Sequence, residues 1–208
     1  MPSNTFFNLP ATKQEIIIFS ALKEFSKNAF SEVSINQIVK NAKISRGSFY
    51  TYFADKYDLL VYILNLFKSK LQNKIIEISK VVKGDLKLLV IETHQYIYDI
   101  YKDEQNKNFL FNIINYFHSH SDEELEESRE QLPLLGDCDM IFGVINHNQF
   151  KFPKNVNKIK QTINISFILL KNILVISASK NLNYEKSKTL LVEYLDILEH
   201  GYKEEQNA

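Results

Sequence analysis

Residues 34–56 read SINQIVKNAKISRGSFYTYFADK. Ser34 stands ahead of a short apolar–polar pattern. Its hydroxyl can accept the backbone N–H of Gln37, and the Gln37 side chain can reach back to the Ser34 N–H, which makes a capping box. Ile38 and Val39 supply a buried face, and Asn41-Ala42-Lys43 forms a turn. Ser45 is placed to cap a further short helix that starts at Arg46. In that helix Phe49 and Phe53, four residues apart, face inward, while Tyr50 and Tyr52 present hydroxyls outward. Lys56 begins the next helix.

Upstream, Ile18, Ala21, Leu22 and Phe25 follow the spacing of one helical face, widened by Ile17, and predict a helix from about Ala11 to Lys27. Asn28-Ala29-Phe30-Ser31 breaks it. Three short helices, the last rich in small polar and aromatic residues, predict a helix-turn-helix that reads DNA. Arg46 carries a planar donor fork that fits guanine O6 and N7, or a phosphate. Gly47 and Ser48 are small and let a backbone approach a groove closely. Ser48 and Thr51 can bond phosphates or base edges. Lys56, at a helix start with free backbone N–H groups, favours a phosphate.

Residues from about 11 to 60 resemble the DNA-binding domain of the tetracycline-repressor (TetR) family of transcriptional regulators. The resemblance rests on Ala21-Leu22-x-x-Phe25, on Ser34-Ile35-x-x-Ile38-Val39, on Ile44-Ser45-Arg46-Gly47-Ser48-Phe49-Tyr50-x-Tyr52-Phe53, and on Asp55-Lys56-x-x-Leu59. It implies that Arg46 and Ser48, with Asn36 on the preceding helix, contact bases. Tyr50 and Tyr52 are then expected at the DNA backbone and thymine methyls, and Lys56 at a phosphate. Ser34, Lys43, Ser45, Gly47 and Thr51 complete the expected DNA-binding set. Lys43 departs from the family, which usually has glycine at this turn because the backbone there favours positive φ. A lysine costs about 1 kcal/mol in that conformation and can regain some of it as a phosphate contact.

The chain has 208 residues and a formal net charge of zero. Its first 60 residues hold seven basic and five acidic side chains, so bulk charge contributes little to DNA binding and placed contacts matter more. The single cysteine, Cys138, excludes an intramolecular disulfide and suits a reducing compartment. No basic stretch followed by an apolar run opens the chain, so no signal peptide is expected. The apolar run Ile163–Ala178 is broken by Asn164, Ser166, Lys171 and Asn172 and does not predict a membrane span. A cytoplasmic protein is expected.

The scarcity of glycine and proline predicts an all-α chain. An N-terminal three-helix helix-turn-helix domain, residues 1–56, is followed by a helical ligand-binding and dimerisation bundle, residues 57–208. The bundle's helices are expected from Lys56 past Ile78, from Asp85 to about Tyr101, and from about Asn106 to His118. A further one is capped by Ser121 and ends before Pro133, with its acidic run Asp122–Glu130 as a solvated face. Leu134–Phe150 is weaker. Long helices follow at about Val156–Lys180 and Tyr184–His200, which Gly201 ends. These last two are the expected dimer interface, through Ile163, Phe167, Leu170, Leu174, Leu191, Tyr194, Leu195 and Leu198. The family resemblance points the same way, since its members dimerise through a four-helix bundle. A dimer places two recognition helices about one DNA turn apart, on a near-palindrome.

Aromatic and histidine residues of the middle region can enclose an apolar pocket with a few polar groups. Phe67, His94, Tyr96, Tyr101, Phe109, Tyr116, Phe117, Phe142, His147 and Phe167 are the candidate contacts for an unidentified small-molecule effector, or simply core. His94, His118, His120, His147 and Cys138 invite a haem or metal reading but form no ligand set of recognised spacing. No Gly-rich phosphate loop, nucleophile elbow or metal-protease histidine pair points to an enzyme, and no cofactor is required. The expected function is a ligand-responsive homodimeric repressor that releases a near-palindromic operator on double-stranded DNA. A haem- or metal-sensing regulator is one alternative. A helical sensing protein whose head no longer reads DNA is another.

Overall fold

The computed structural model describes residues 1–119 and 137–200, except the side chains of residues 114, 115 and 117–119. All regular structure among them is helical: α1 (Asn4–Phe7), α2 (Ala11–Lys27), α3 (Ile35–Ala42), α4 (Arg46–Tyr52), α5 (Lys56–Val81), α6 (Leu86–Tyr101), α7 (Glu104–Ser119), α8 (Cys138–Val144), α9 (Val156–Ser179) and α10 (Tyr184–His200). Single 3-10 turns occupy Phe30–Glu32 and His147–Gln149. The expected helix after Ser121 and its acidic run lie outside the described residues.

The chain forms two compact units. Met1–Ser69 and Ile100–Pro133 make the first; Lys70–Asp99 and Leu134–Ala208 make the second. The unit that holds the head therefore extends past residue 56, to the first half of α5 and to α7. Its core is built from Phe6, Ile17, Ala21, Phe25, Ile38, Phe49, Phe53, Leu59, Leu60 and Phe109, each almost fully buried. Phe25 and Phe109 meet edge to face with centroids 6.2 Å apart, a favoured arrangement for two rings. The short α1 was not anticipated, because four residues carry no period. It forms because Ser3 caps it and Phe6 is buried against Phe53, with centroids 4.8 Å apart.

In the second unit, α5 ends where Lys83 and Gly84 both take positive φ, at 53° and 72°. Glycine is required at 84: a Cβ there would lie 2.5 Å from the backbone nitrogen of Asn146. The Gly84 carbonyl accepts the Asn146 N–H and the Gln149 side-chain amide, each at 2.9 Å. α9 is long and apolar enough to cross a membrane by length and composition. Its Ile159, Ile163, Phe167, Leu170, Ile173 and Leu174 are buried, while Gln161, Asn164, Lys171 and Asn172 on the same helix are exposed.

Candidate nucleic-acid interface

The turn between α3 and α4 is built by local chemistry. Ser34 accepts the Gln37 N–H at 3.3 Å and so caps α3. The reciprocal half of the expected capping box is not made. The Gln37 amide turns to Asn41 Oδ1 at 3.1 Å, and the Ser34 N–H goes to the buried Glu24 carboxylate at 3.1 Å. A carboxylate at that helix N-terminus is favoured by the dipole and offers a stronger acceptor than an amide. Lys43 closes α3 with φ 53° and ψ 47°. The Ile44 N–H reaches back to the Val39 carbonyl at 3.0 Å, a Schellman closure. The Lys13 ammonium binds the carbonyls of Ala42 and Lys43 at 3.4 and 3.3 Å, pinning the turn to α2.

Ser45 caps α4 by accepting the Ser48 N–H at 2.9 Å. Two small hydroxyls expected to face DNA are engaged locally: Ser48 pairs with Ser45 Oγ at 2.8 Å, and Thr51 donates to the Gly47 carbonyl at 3.1 Å. Arg46 carries the exposed face. It donates to Asn36 Oδ1 on α3 and, at 3.0 Å, to the Tyr50 hydroxyl one turn ahead. The guanidinium lies 5.5 Å from the Tyr50 ring centroid. Asn36, Arg46 and Tyr50 thus form one surface across the turn, and three of the five guanidinium N–H groups remain beyond these two bonds. Beside it, Gly47 is bare: Ser45 Oγ, at 3.7 Å, is all that a Cβ would meet beyond its neighbours and its own helix backbone. Nothing inside the head requires a glycine there.

Two expected DNA contacts are placed differently. Tyr52 is half-buried and sits 6.1 Å from the Phe6 ring, drawn in by α1. α1 also closes the end of α4, since Ser3 donates from N–H and hydroxyl to the Tyr52 and Thr51 carbonyls at 2.9 and 2.7 Å. Lys56 was expected on a phosphate. Its ammonium instead binds the carbonyls of Phe30, Ser31 and Val33 at 2.8, 2.9 and 3.3 Å and lies over the Phe30 ring. All three donors are thereby taken, and burial pushes its pKa below the usual 10.5.

The candidate effector contacts divide between the units: Phe67, Tyr101, Phe109 and Tyr116 in the first, His94, Tyr96, Phe142, His147 and Phe167 in the second. Phe67 stacks on Phe109 at 5.6 Å, and Tyr116 packs on Phe30 at 4.2 Å. The side chains of Phe117 and His118, and all of His120, lie outside the described residues. His94 is fully buried, with Nε2 2.7 Å from Ser187 Oγ, which lies 2.6 Å from Ser177 Oγ. Its Nδ1 has no partner among the described residues, nor has the neighbouring Thr93 hydroxyl. Burial, with the charge of Lys188, lowers the His94 pKa to about 4. His147 bonds the Phe142 carbonyl at 2.9 Å, and Cys138 the Lys160 carbonyl at 3.4 Å, so the two do not point at a common centre.

Six of the eight expected interface residues, Ile163, Phe167, Leu170, Leu174, Leu191 and Leu195, are buried within the chain itself. The period alone did not show which side of each helix its own unit covers. Left exposed are Ile165, Ile168 and Val175 on α9, with Tyr194 and Ile197 on α10.

Residues 17–63 match the family of bacterial regulatory proteins described as the tetR family. The chain is 40% identical over 73 residues to the uncharacterised HTH-type transcriptional regulator YuxN of Bacillus subtilis, covering 35% of this chain and 24% of that protein. It is 31% identical over 109 residues to the HTH-type transcriptional regulator AcrR of Shigella flexneri, covering 50% of this chain and 51% of that one. The chain thus spans from about a quarter to about half the length of these curated relatives. A tetR-family transcriptional regulator from Streptomyces coelicolor shares the fold with a TM-score of 0.66 at 16% identity, over 95% of this chain and 86% of that one. A TetR-like transcriptional regulator from Rhodococcus sp. RHA1 does so with 0.57 at 14% identity, over 94% of this chain and all of the other. Residues 17–63 thus carry the sequence signature of the tetR family of bacterial regulatory proteins, and the described residues share the fold of solved regulators of that family.

Proposed function

We propose that this chain is a DNA-binding transcriptional regulator that reads a near-palindromic operator as a homodimer and releases it when a small molecule binds. One observation supports it most. Arg46 and Tyr50 are tied across the turn to Asn36, beside a glycine that the head itself leaves open to solvent. Such a surface suits a major groove: a pre-set guanidinium fork for a guanine edge, and a backbone with no side chain in the way. Lys43 and the first turn of α4 flank it and face phosphates.

Residues 1–56 form the reading part in this proposal, and residues 57–208 serve the effector and the dimer. The dimer closes on the exposed Ile165, Ile168 and Val175 of α9, with the exposed Tyr194 and Ile197 and the half-buried Leu198 of α10. Helix α5 belongs to both units and carries the change of head spacing. The effector prefers the mis-spaced heads, and DNA must weaken the effector by the same factor, typically about 1–3 kcal/mol of coupling. Repression in the cytoplasm, where the chromosome lies, follows from that scheme. The test is a selection of genomic fragments by the purified protein, read by sequencing. An enriched near-palindrome is expected. No enrichment at low salt from a folded dimer would remove the DNA-reading role.

A further inference from the structure

We propose that Asn112 of α7 is a positioning residue for the reading head: acting through Asn28 and Glu24, it holds the N-terminus of α3, so that α7 and the helix-turn-helix move as one body. Its consequence for DNA rests on the reading role proposed above. Its geometry does not.

The Asn112 side-chain amide donates to the carbonyls of Phe25 at 3.0 Å, Ser26 at 3.2 Å and Asn28 at 3.1 Å. These lie at and just beyond the C-terminus of α2, where helix carbonyls lack partners and the dipole is negative. Two N–H groups serve three acceptors as shared bonds, as is common at helix ends. Asn28 passes the link on, since its own amide donates to Glu24 Oε1 at 3.1 Å and to the Glu24 carbonyl at 3.3 Å. The same Glu24 oxygen accepts the Ser34 N–H at 3.1 Å. Ser34 is the N-cap of α3. An unbroken polar chain therefore runs from α7 to the first helix of the reading motif. Two residues on, Asn36 holds Arg46.

The chain is positioned to respond to small movements. Glu24 is 5% exposed, so its bonds are shielded from water, and losing one leaves a buried charge short of a donor. The three Asn112 bonds have little slack. A slide of α7 by about 1 Å carries them past bonding distance. Tyr116 on Phe30 and Phe109 on Phe25 keep the two elements in register beside the polar link.

The test is amide hydrogen exchange at Ser34 in the full chain, together with operator affinity. Asn112→Leu keeps the volume and removes the donors. It should speed Ser34 exchange about tenfold, the equivalent of one lost hydrogen bond, and weaken operator binding. Glu24→Gln should perturb the same amide. The double variant should add little, because both substitutions cut one chain. Phe109→Leu, which loosens α7 packing without touching the link, serves as the control. It should lower Tm without selectively exposing Ser34. If Asn112→Leu leaves Ser34 exchange at the wild-type rate while Glu24→Gln accelerates it, the link does not extend to α7 and the proposal fails. Accelerated Ser34 exchange in Asn112→Leu, with the wild-type protein itself protecting no DNA, would uphold the link and refute the DNA-reading role instead.

Discussion

Gly47→Ala separates what the head needs in order to fold from what it needs in order to read DNA. The glycine sits in the first turn of α4 with no positive φ. A methyl placed there would meet Ser45 Oγ at an ordinary 3.7 Å. Alanine in a helix is favoured over glycine by about 0.5–1 kcal/mol, and less in a first turn, so the variant should gain about 0.5 kcal/mol. For a chain of this size that corresponds to about 1–2 °C in Tm. On DNA the sign reverses. The methyl stands where the helix backbone is to approach the groove, next to Arg46 and Tyr50. Holding the fork away from its base should cost about as much as one wrong base pair, about 1–3 kcal/mol. Thermal unfolding measures the first effect and a mobility shift at fixed salt the second. A variant that binds the operator as tightly as the parent refutes close approach at Gly47. A variant that unfolds refutes the account of the packing.

Arg46→Ala should lose about 1–3 kcal/mol and relax preference at one base pair, whereas Tyr50→Ala should lose operator binding with the dimer intact; binding to a set of single-base operator variants distinguishes them. Lys43→Gly relieves a left-handed backbone at φ 53° and should raise unfolding stability by about 1 kcal/mol in urea titration. Ile168→Glu and Ile197→Glu place charges on the exposed stripe and should each give monomers by sedimentation; dimers at micromolar concentration would move the interface elsewhere. His94 binds a proton near 6.5 when unfolded but only near 4 in the fold, so its contribution is complete above pH 6.5 and is lost as pH falls toward 4. That gap is worth about 3 kcal/mol in full, and because pH 5 still lies above the folded value, about 2 kcal/mol of it should be lost between pH 7 and 5. His94→Gln should lack this loss, and equal acid sensitivity in both proteins would assign it to other groups.

Much of this protein is determined by local chemistry, and that part was legible in the sequence. Ser34, Ser45 and Asp85 act as caps by bonding amides three residues away, so they mark helix starts without knowledge of the fold. The reading motif is the extreme case, since its turn and the cap of α4 are made within the segment itself. What required the tertiary structure was partner choice among groups far apart in the chain. Lys56 has the charge and position for a phosphate, but three carbonyls of the segment before α3 lie within its reach. Gln37 has the spacing for a capping box, yet Glu24, ten residues upstream of Ser34, takes the amide. The apolar period of α9 and α10 identified helices with a buried side but not what buries it, and most of the residues expected between two copies are covered by the chain's own second unit. α1 has too few residues to show a period and exists because Phe6 finds an aromatic core. Caps and periods are short-range and belong to the sequence; competition for a donor, an acceptor or an apolar face is settled only when distant segments meet.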